Sequence, residues 1–137
     1  TAVMTFARAG STNVAHVVPV PARTRVTVDP KTIPGLAAAE FSTQVTSTQP
    51  VVVDRTMSWD ATGYGAHAET AVPAPSATWY LAEGATHSGF RLFYLLQNPN
   101  PTAATVAVTY LRTGQAPLTV TCTVPARTAW NAGPAPG

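Results

Sequence analysis

The sequence predicts an all-β chain, an immunoglobulin-like antiparallel sandwich of about seven strands with one hairpin duplicated, and three observations predict it. Short runs alternate apolar and polar residues with a period of two, as half-buried strands do. Thirteen prolines fall mostly between those runs, where they cost no ladder hydrogen bonds. One stretch, 2–27, recurs 104 residues later at 106–131, a distance close to the length of one sandwich domain.

Taken in chain order, the first run is 2–8, AVMTFAR, which leads through Gly10 into 14–20, VAHVVPV. Pro19 has no N–H to donate, which puts this second strand at a sheet edge or marks a bulge. The runs 24–29 (TRVTVD) and 41–48 (FSTQVTST) are rich in β-branched residues, which suit a pleated surface. Between them, LAAAE at 36–40 favours helix but is too short for more than one turn. The runs 51–59 and 78–83 follow, each bounded by Gly or Pro. In 90–97, Phe93 and Leu95 face opposite to Leu92, Tyr94 and Leu96. A strand apolar on both sides belongs beneath a second layer or at a contact with another chain, so Phe93 and Leu95 are the candidate assembly residues. The runs 105–112 and 118–124 alternate most cleanly. Val106, Val108 and Tyr110 share one face, as do Leu118, Val120, Cys122 and Val124, while Thr119, Thr121 and Thr123 point the other way. Gly114 between them makes a hairpin.

The repeat is the strongest signal. Residues 2–27 and 106–131 align without a gap, with identities at Thr5/Thr109, Arg8/Arg112, Gly10/Gly114, Val20/Val124, Pro21/Pro125, Ala22/Ala126, Arg23/Arg127 and Thr24/Thr128. Two hairpins converging on a Thr/Val pattern would match in pattern alone. The shared V-P-A-R-T corner matches in identity as well. Over one period from Thr78, wrapping back through the first copy, the expected strands number seven, which is the immunoglobulin-like count. Other Greek-key sandwiches share it.

The stretch TWYLAEGATHSGFRLFYLLQNPN at 78–100, the strand AATVAVTYL at 103–111 and the run VVVDRTMSWD at 51–60 also resemble a family of uncharacterised β-repeat domains. These occur in large secreted or cell-surface bacterial proteins and follow a W-Y-x-A-E-G, Q-N-P, V-V-E-R-x-M-Y-W pattern. Asp54 stands where that pattern has Glu, and Ser58 where it has Tyr. The resemblance implies an accessory or structural repeat with no catalytic set, at an extracellular or cell-surface location, with a natural repeat start near Thr78. The Pro-rich linker VPAPS at 72–76 suits such a junction.

Residues 1–76 then read as the C-terminal five strands of one repeat and 77–137 as the N-terminal strands of the next, together one permuted sandwich. The two hairpin copies are expected either to compete for the slot beside 90–97, with the loser pairing to another chain, or to lie in one enlarged sandwich.

Composition narrows the function classes. Charged residues are 10% of the chain, and eight Lys and Arg are scattered singly for a net charge of +2, so no basic stripe for nucleic acid exists. No apolar run reaches membrane-spanning length, and no leader pattern opens the chain, so direct membrane insertion is not expected. Cys122 is the only cysteine, which leaves no internal disulfide, and its equivalence to Val18 reads as a small core hydrophobe. His16, at the phase of Val120, reads as a packing histidine. No motif for metal, cofactor or nucleophile is present, so no cofactor, no metal and no catalytic residue are expected. Glu83 and His87 in EGATH suit a loop contact rather than a site. The Gly-rich segment GYGAHAE at 63–69 offers the best small polar site, through His67 and Glu69. Trp59, Tyr64, Trp79 and Tyr80 sit at strand ends or in loops, where such rings stack on sugars or peptides, although Trp59 and Trp79 are each placed as the buried tryptophan of a sandwich and are expected first as core. The expected function is a non-catalytic structural or adhesive repeat whose partners are its own copies or neighbouring repeats. The alternatives are a carbohydrate- or other ligand-binding accessory module and, third, a hydrolase with an unrecognised His/carboxylate site.

Overall fold

The computed structural model describes residues 1–8, 10–59 and 65–132. Nine strands account for the regular structure of these residues: β1 (Ala2–Ala7), β2 (Val14–Val18), β3 (Ser42–Ser47), β4 (Asp54–Trp59), β5 (Gly65–Thr70), β6 (Tyr94–Asn98), β7 (Ala104–Tyr110), β8 (Leu118–Val124) and β9 (Thr128–Ala132). All pairings are antiparallel, and one turn of 3-10 helix at Pro30–Thr32 is the only helical element among the described residues. The chain is all-β, as the alternation requires.

The strands form a three-stranded sheet in the order β2-β1-β3 and three pairs, β4-β5, β6-β9 and β7-β8. β1 is central because both of its edges are used: Phe6 lies opposite Val14 of β2 and opposite Thr43 of β3. β2 ends at Val18, before Pro19, and lies at the sheet edge as that proline demands. The segment between β2 and β3 folds over β1 and buries Phe6 against Ile33 and Leu36, with Met4, Val14, Val28 and Phe41 packed around them. The Phe6 and Phe41 rings meet edge to face at 5.2 Å, the favourable geometry for an aromatic pair. Asp29 caps the 3-10 turn by accepting from the Lys31 amide at 3.0 Å, and Pro30 supplies the first turn with its fixed φ.

The second core gathers on β6 to β9. The Tyr94 and Tyr110 rings lie 6.1 Å apart, and Val124 is fully buried. Asn98 is the one buried polar side chain among the described residues, and every group on it is paired. Its amide donates to the carbonyls of Thr102 (2.8 Å), Val124 (3.1 Å) and Pro125 (3.1 Å), while its oxygen accepts from the backbone and side chain of Asn100. One asparagine thereby ties the end of β6 to the corner that follows β8.

The β1-β2 and β7-β8 hairpins share one geometry. Ala2↔Val18 through Phe6↔Val14 and Val106↔Cys122 through Tyr110↔Leu118 are the same register displaced by 104 residues. Gly10 and Gly114 take φ +66° and +71° in the two turns. Arg8 donates to the Thr12 carbonyl at 2.7 Å, and Arg112 to the Ala116 carbonyl at 2.9 Å. At the two corners Arg23 and Arg127 adopt φ +58° and +53°, and Thr24 and Thr128 donate to the carbonyls of Pro21 and Pro125 at 2.9 and 3.0 Å. The aligned identities therefore act structurally in both copies. The glycine permits the turn, the first arginine closes it, and the threonine holds the corner.

Four expectations need correction. The run 24–29 is extended but has no strand partner among the described residues, whereas its counterpart 128–132 is β9 and pairs with β6. One edge of β6 is therefore taken by β9, and neither hairpin pairs with β6 among the described residues. The run 78–83 is not a strand; its residues are exposed and make no ladder with the described strands. Within the segment 63–69, residues 65–69 belong to β5, paired along its whole length with β4, so this is a hairpin strand rather than a Gly-rich loop. Gly63 and Tyr64 lie outside the described residues.

Candidate functional site

Two groups of side chains named from the sequence come to the surface in forms that can be examined chemically. The first lies on the β4-β5 hairpin. Register sets Arg55 opposite Glu69 and Met57 opposite His67, so Arg55, His67 and Glu69 share one face. Arg55 donates to Glu69 Oε1 at 2.8 Å and lies 3.3 Å from His67 Nδ1, while His67 Nε2 is 3.9 Å from the other carboxylate oxygen. A guanidinium has no acceptor, so the contact is a hydrogen bond only when Nδ1 carries no proton. Arg55 was not among the residues singled out from the sequence; it is read only once the register is known.

All three side chains are about half exposed, so the ion pair is worth about 0.2–1 kcal/mol. No group of three or more His, Cys, Asp or Glu among the described residues could hold a metal ion. The arrangement fixes the hairpin's exposed face and offers a carboxylate already occupied by arginine.

The second group is aromatic. Trp79 and Tyr80 are 57% and 94% exposed, and Leu81 beside them is also exposed, so Trp79 is not the core ring expected of it: the run that carries it joins no sheet that could cover it. Downstream, Phe93 and Leu95 point to solvent while Leu92, Tyr94 and Leu96 turn inward, the alternation expected of 90–97, and the Arg91 guanidinium lies 5.2 Å from the Phe93 ring centre. Arginine over an aromatic face is a modest cation–π contact. Tyr64 lies outside the described residues, and for Trp59 only the backbone is described, paired with Gly65. His87 bonds the Ser88 hydroxyl at 3.0 Å rather than Glu83, so the expected loop contact has a different partner. His16 and Cys122 are half-buried on β2 and β8, as packing residues.

One open depression runs between the β1-β2 turn and the corner after β8, lined by Arg8, Ser11, Thr12, Asn13, Arg127 and Thr128. Arg8 is already engaged with the carbonyls of Thr12 and Gly35. No helix is long and apolar enough to cross a membrane among the described residues. Comparison with protein-family models, curated proteins and solved structures found no match.

Proposed function

We infer that the chain is a non-catalytic structural or adhesive repeat module of a bacterial extracellular or cell-surface protein, spanning parts of two successive immunoglobulin-like units. Residues 1–76 carry the closing strands of one unit and 77–137 the opening strands of the next. The observation that carries this reading is the duplicated hairpin and corner, identical in register, turn conformation and side-chain bonding. A period of about one sandwich domain is that of domains repeated in tandem along a chain.

A second reading rests on Trp79 and Tyr80, whose exposed rings suit stacking on a glycan. Sedimentation velocity across a wide concentration range, combined with a glycan-array screen, separates the two. The structural reading expects a mass that grows with concentration above 14.2 kDa and no glycan signal. A strict monomer that binds a glycan and loses it in the double substitution Trp79→Ala and Tyr80→Ala would contradict it in favour of the second.

A further inference from the structure

The two equivalent hairpins are not equally covered. β1 has β2 on one edge and β3 on the other, whereas β7 has β8 on one edge and no strand on the other among the described residues. The groups left open can be assigned. The Thr48 amide donates to the Thr1 carbonyl just beyond the β1-β3 ladder, which makes Thr1↔Thr48 a directly bonded pair. Bonded pairs then alternate, so Val3, Thr5 and Ala7 aim their backbone groups at β3. Through the shared register, Ala107, Thr109 and Leu111 aim theirs at the open edge of β7.

The side chains repeat the contrast. Phe6 is 0% exposed beneath Ile33, Leu36 and Phe41, while Tyr110 at the same place is only partly covered, by Tyr94. Ala7 is 6% exposed and its counterpart Leu111 is 84% exposed. What covers the first hairpin is one contiguous segment, Asp29 through Thr48, which supplies the 3-10 turn, Ile33, Leu36, Phe41 and β3. The chain holds two such hairpins and one such segment.

We propose that the open edge of β7 is a docking site for the segment 29–48 of a second copy of this chain, added as an antiparallel strand in the register that β1 gives β3. This rests on the repeat-module reading and names the partner segment within it. The register is then Val106↔Ser47, Ala107↔Thr46, Val108↔Val45, Thr109↔Gln44, Tyr110↔Thr43 and Leu111↔Ser42, obtained by adding 104 to the β1 positions. Phe41 meets Tyr110 as it meets Phe6, and Leu111 gains the cover that Ala7 has. Strand addition of this kind draws affinity from main-chain bonds and specificity from alternate side chains. The interface is the one formed between β1 and β3, transferred to a second template: the docking segment leaves the β1 of its own copy, so the association is an exchange of that segment between copies.

The test is a synthetic peptide of residues 29–48 titrated into the full chain and followed by amide NMR. Saturable 1:1 binding with shifts centred on Ala107, Thr109 and Leu111 is expected. Ala107→Pro removes an edge-facing N–H, which an edge strand tolerates without unfolding the hairpin, and weakens binding tenfold or more. Thr121→Pro, on the outer edge of β8, leaves binding unchanged, and circular dichroism of both variants checks that the hairpin persists. Absence of binding, shifts centred on β1 or on the outer edge of β8, or equal losses from the two proline variants would overturn the proposal. If the intact chain nevertheless self-associates, the repeat-module reading stands and only this docking edge fails.

Discussion

Phe6 and Tyr110 occupy one position in two copies of a hairpin, and the difference between them is a single hydroxyl with a measurable consequence. Phe6 sits in a closed apolar pocket where a hydroxyl would be buried without a partner, a cost of about 1–3 kcal/mol. Tyr110 sits in a pocket closed on one side by Tyr94. Burial first, then the neighbouring Tyr94 and Cys122, raise its phenol above the ordinary tyrosine value of 10.0. The folded chain therefore favours the neutral phenol, and the unfolded chain ionises first as pH rises. Stability from this group is full below about pH 10 and is lost as pH climbs through the raised folded value. Tyr110→Phe, which installs the residue of the first copy, should flatten the fall in melting temperature as pH rises above about 10. A variant whose curve runs parallel to that of the parent protein would show that Tyr110 ionises as freely in the folded state as in the unfolded one.

At the scale of elements, the two hairpin turns should respond alike to the same change. Gly10 and Gly114 both hold positive φ with open space around the missing Cβ, so alanine meets no clash and bears only the strain of the left-handed backbone, about 1–2 kcal/mol. Gly10→Ala and Gly114→Ala should lower stability by similar amounts in chemical denaturation. A large loss from one and none from the other would mean that the turns are not equivalent. These turns, and the alternation on β1, β2, β7 and β8, were legible because period-two patterning and glycine punctuation are local. β5 was not, since the glycine and two alanines of GAHAET have low strand propensity and the run is held by pairing with β4. β9 was missed for a related reason. Its residues TAWNA look less strand-like than TRVTV at 24–28, yet the first forms a ladder because β6 lies beside it and the second does not. Neighbours, not propensity, decided both cases. Of the candidate site, His67 and Glu69 were readable as polar residues near glycines, but Arg55 entered only through register.

At the scale of the whole molecule, each half supplies what the other lacks among the described residues. The first hairpin and corner have the covering segment and β3 but no strand beside 24–28. The second hairpin and corner have β6 and the Asn98 tie but no strand on the open edge of β7. Among the described residues the buried apolar side chains are Ala2, Phe6, Ala7, Val18, Ile33, Leu36 and Val124. A core of that size leaves Val17, Leu95, Leu111 and Val120 at the surface, where a following unit would cover some of them. Joining a second copy of residues 29–76 directly after Ala132 continues the sequence in the repeat's own phase, because Ala132 stands 104 residues after Val28. The most direct measurement is amide hydrogen exchange on that extended chain beside the original. The account expects the Ala107, Thr109 and Leu111 amides to become as protected as Val3, Thr5 and Ala7, with a higher melting temperature for the C-terminal half. An appended copy that stays unfolded while β7 exchanges as before would contradict the claim that these hairpins are two instances of one repeating unit.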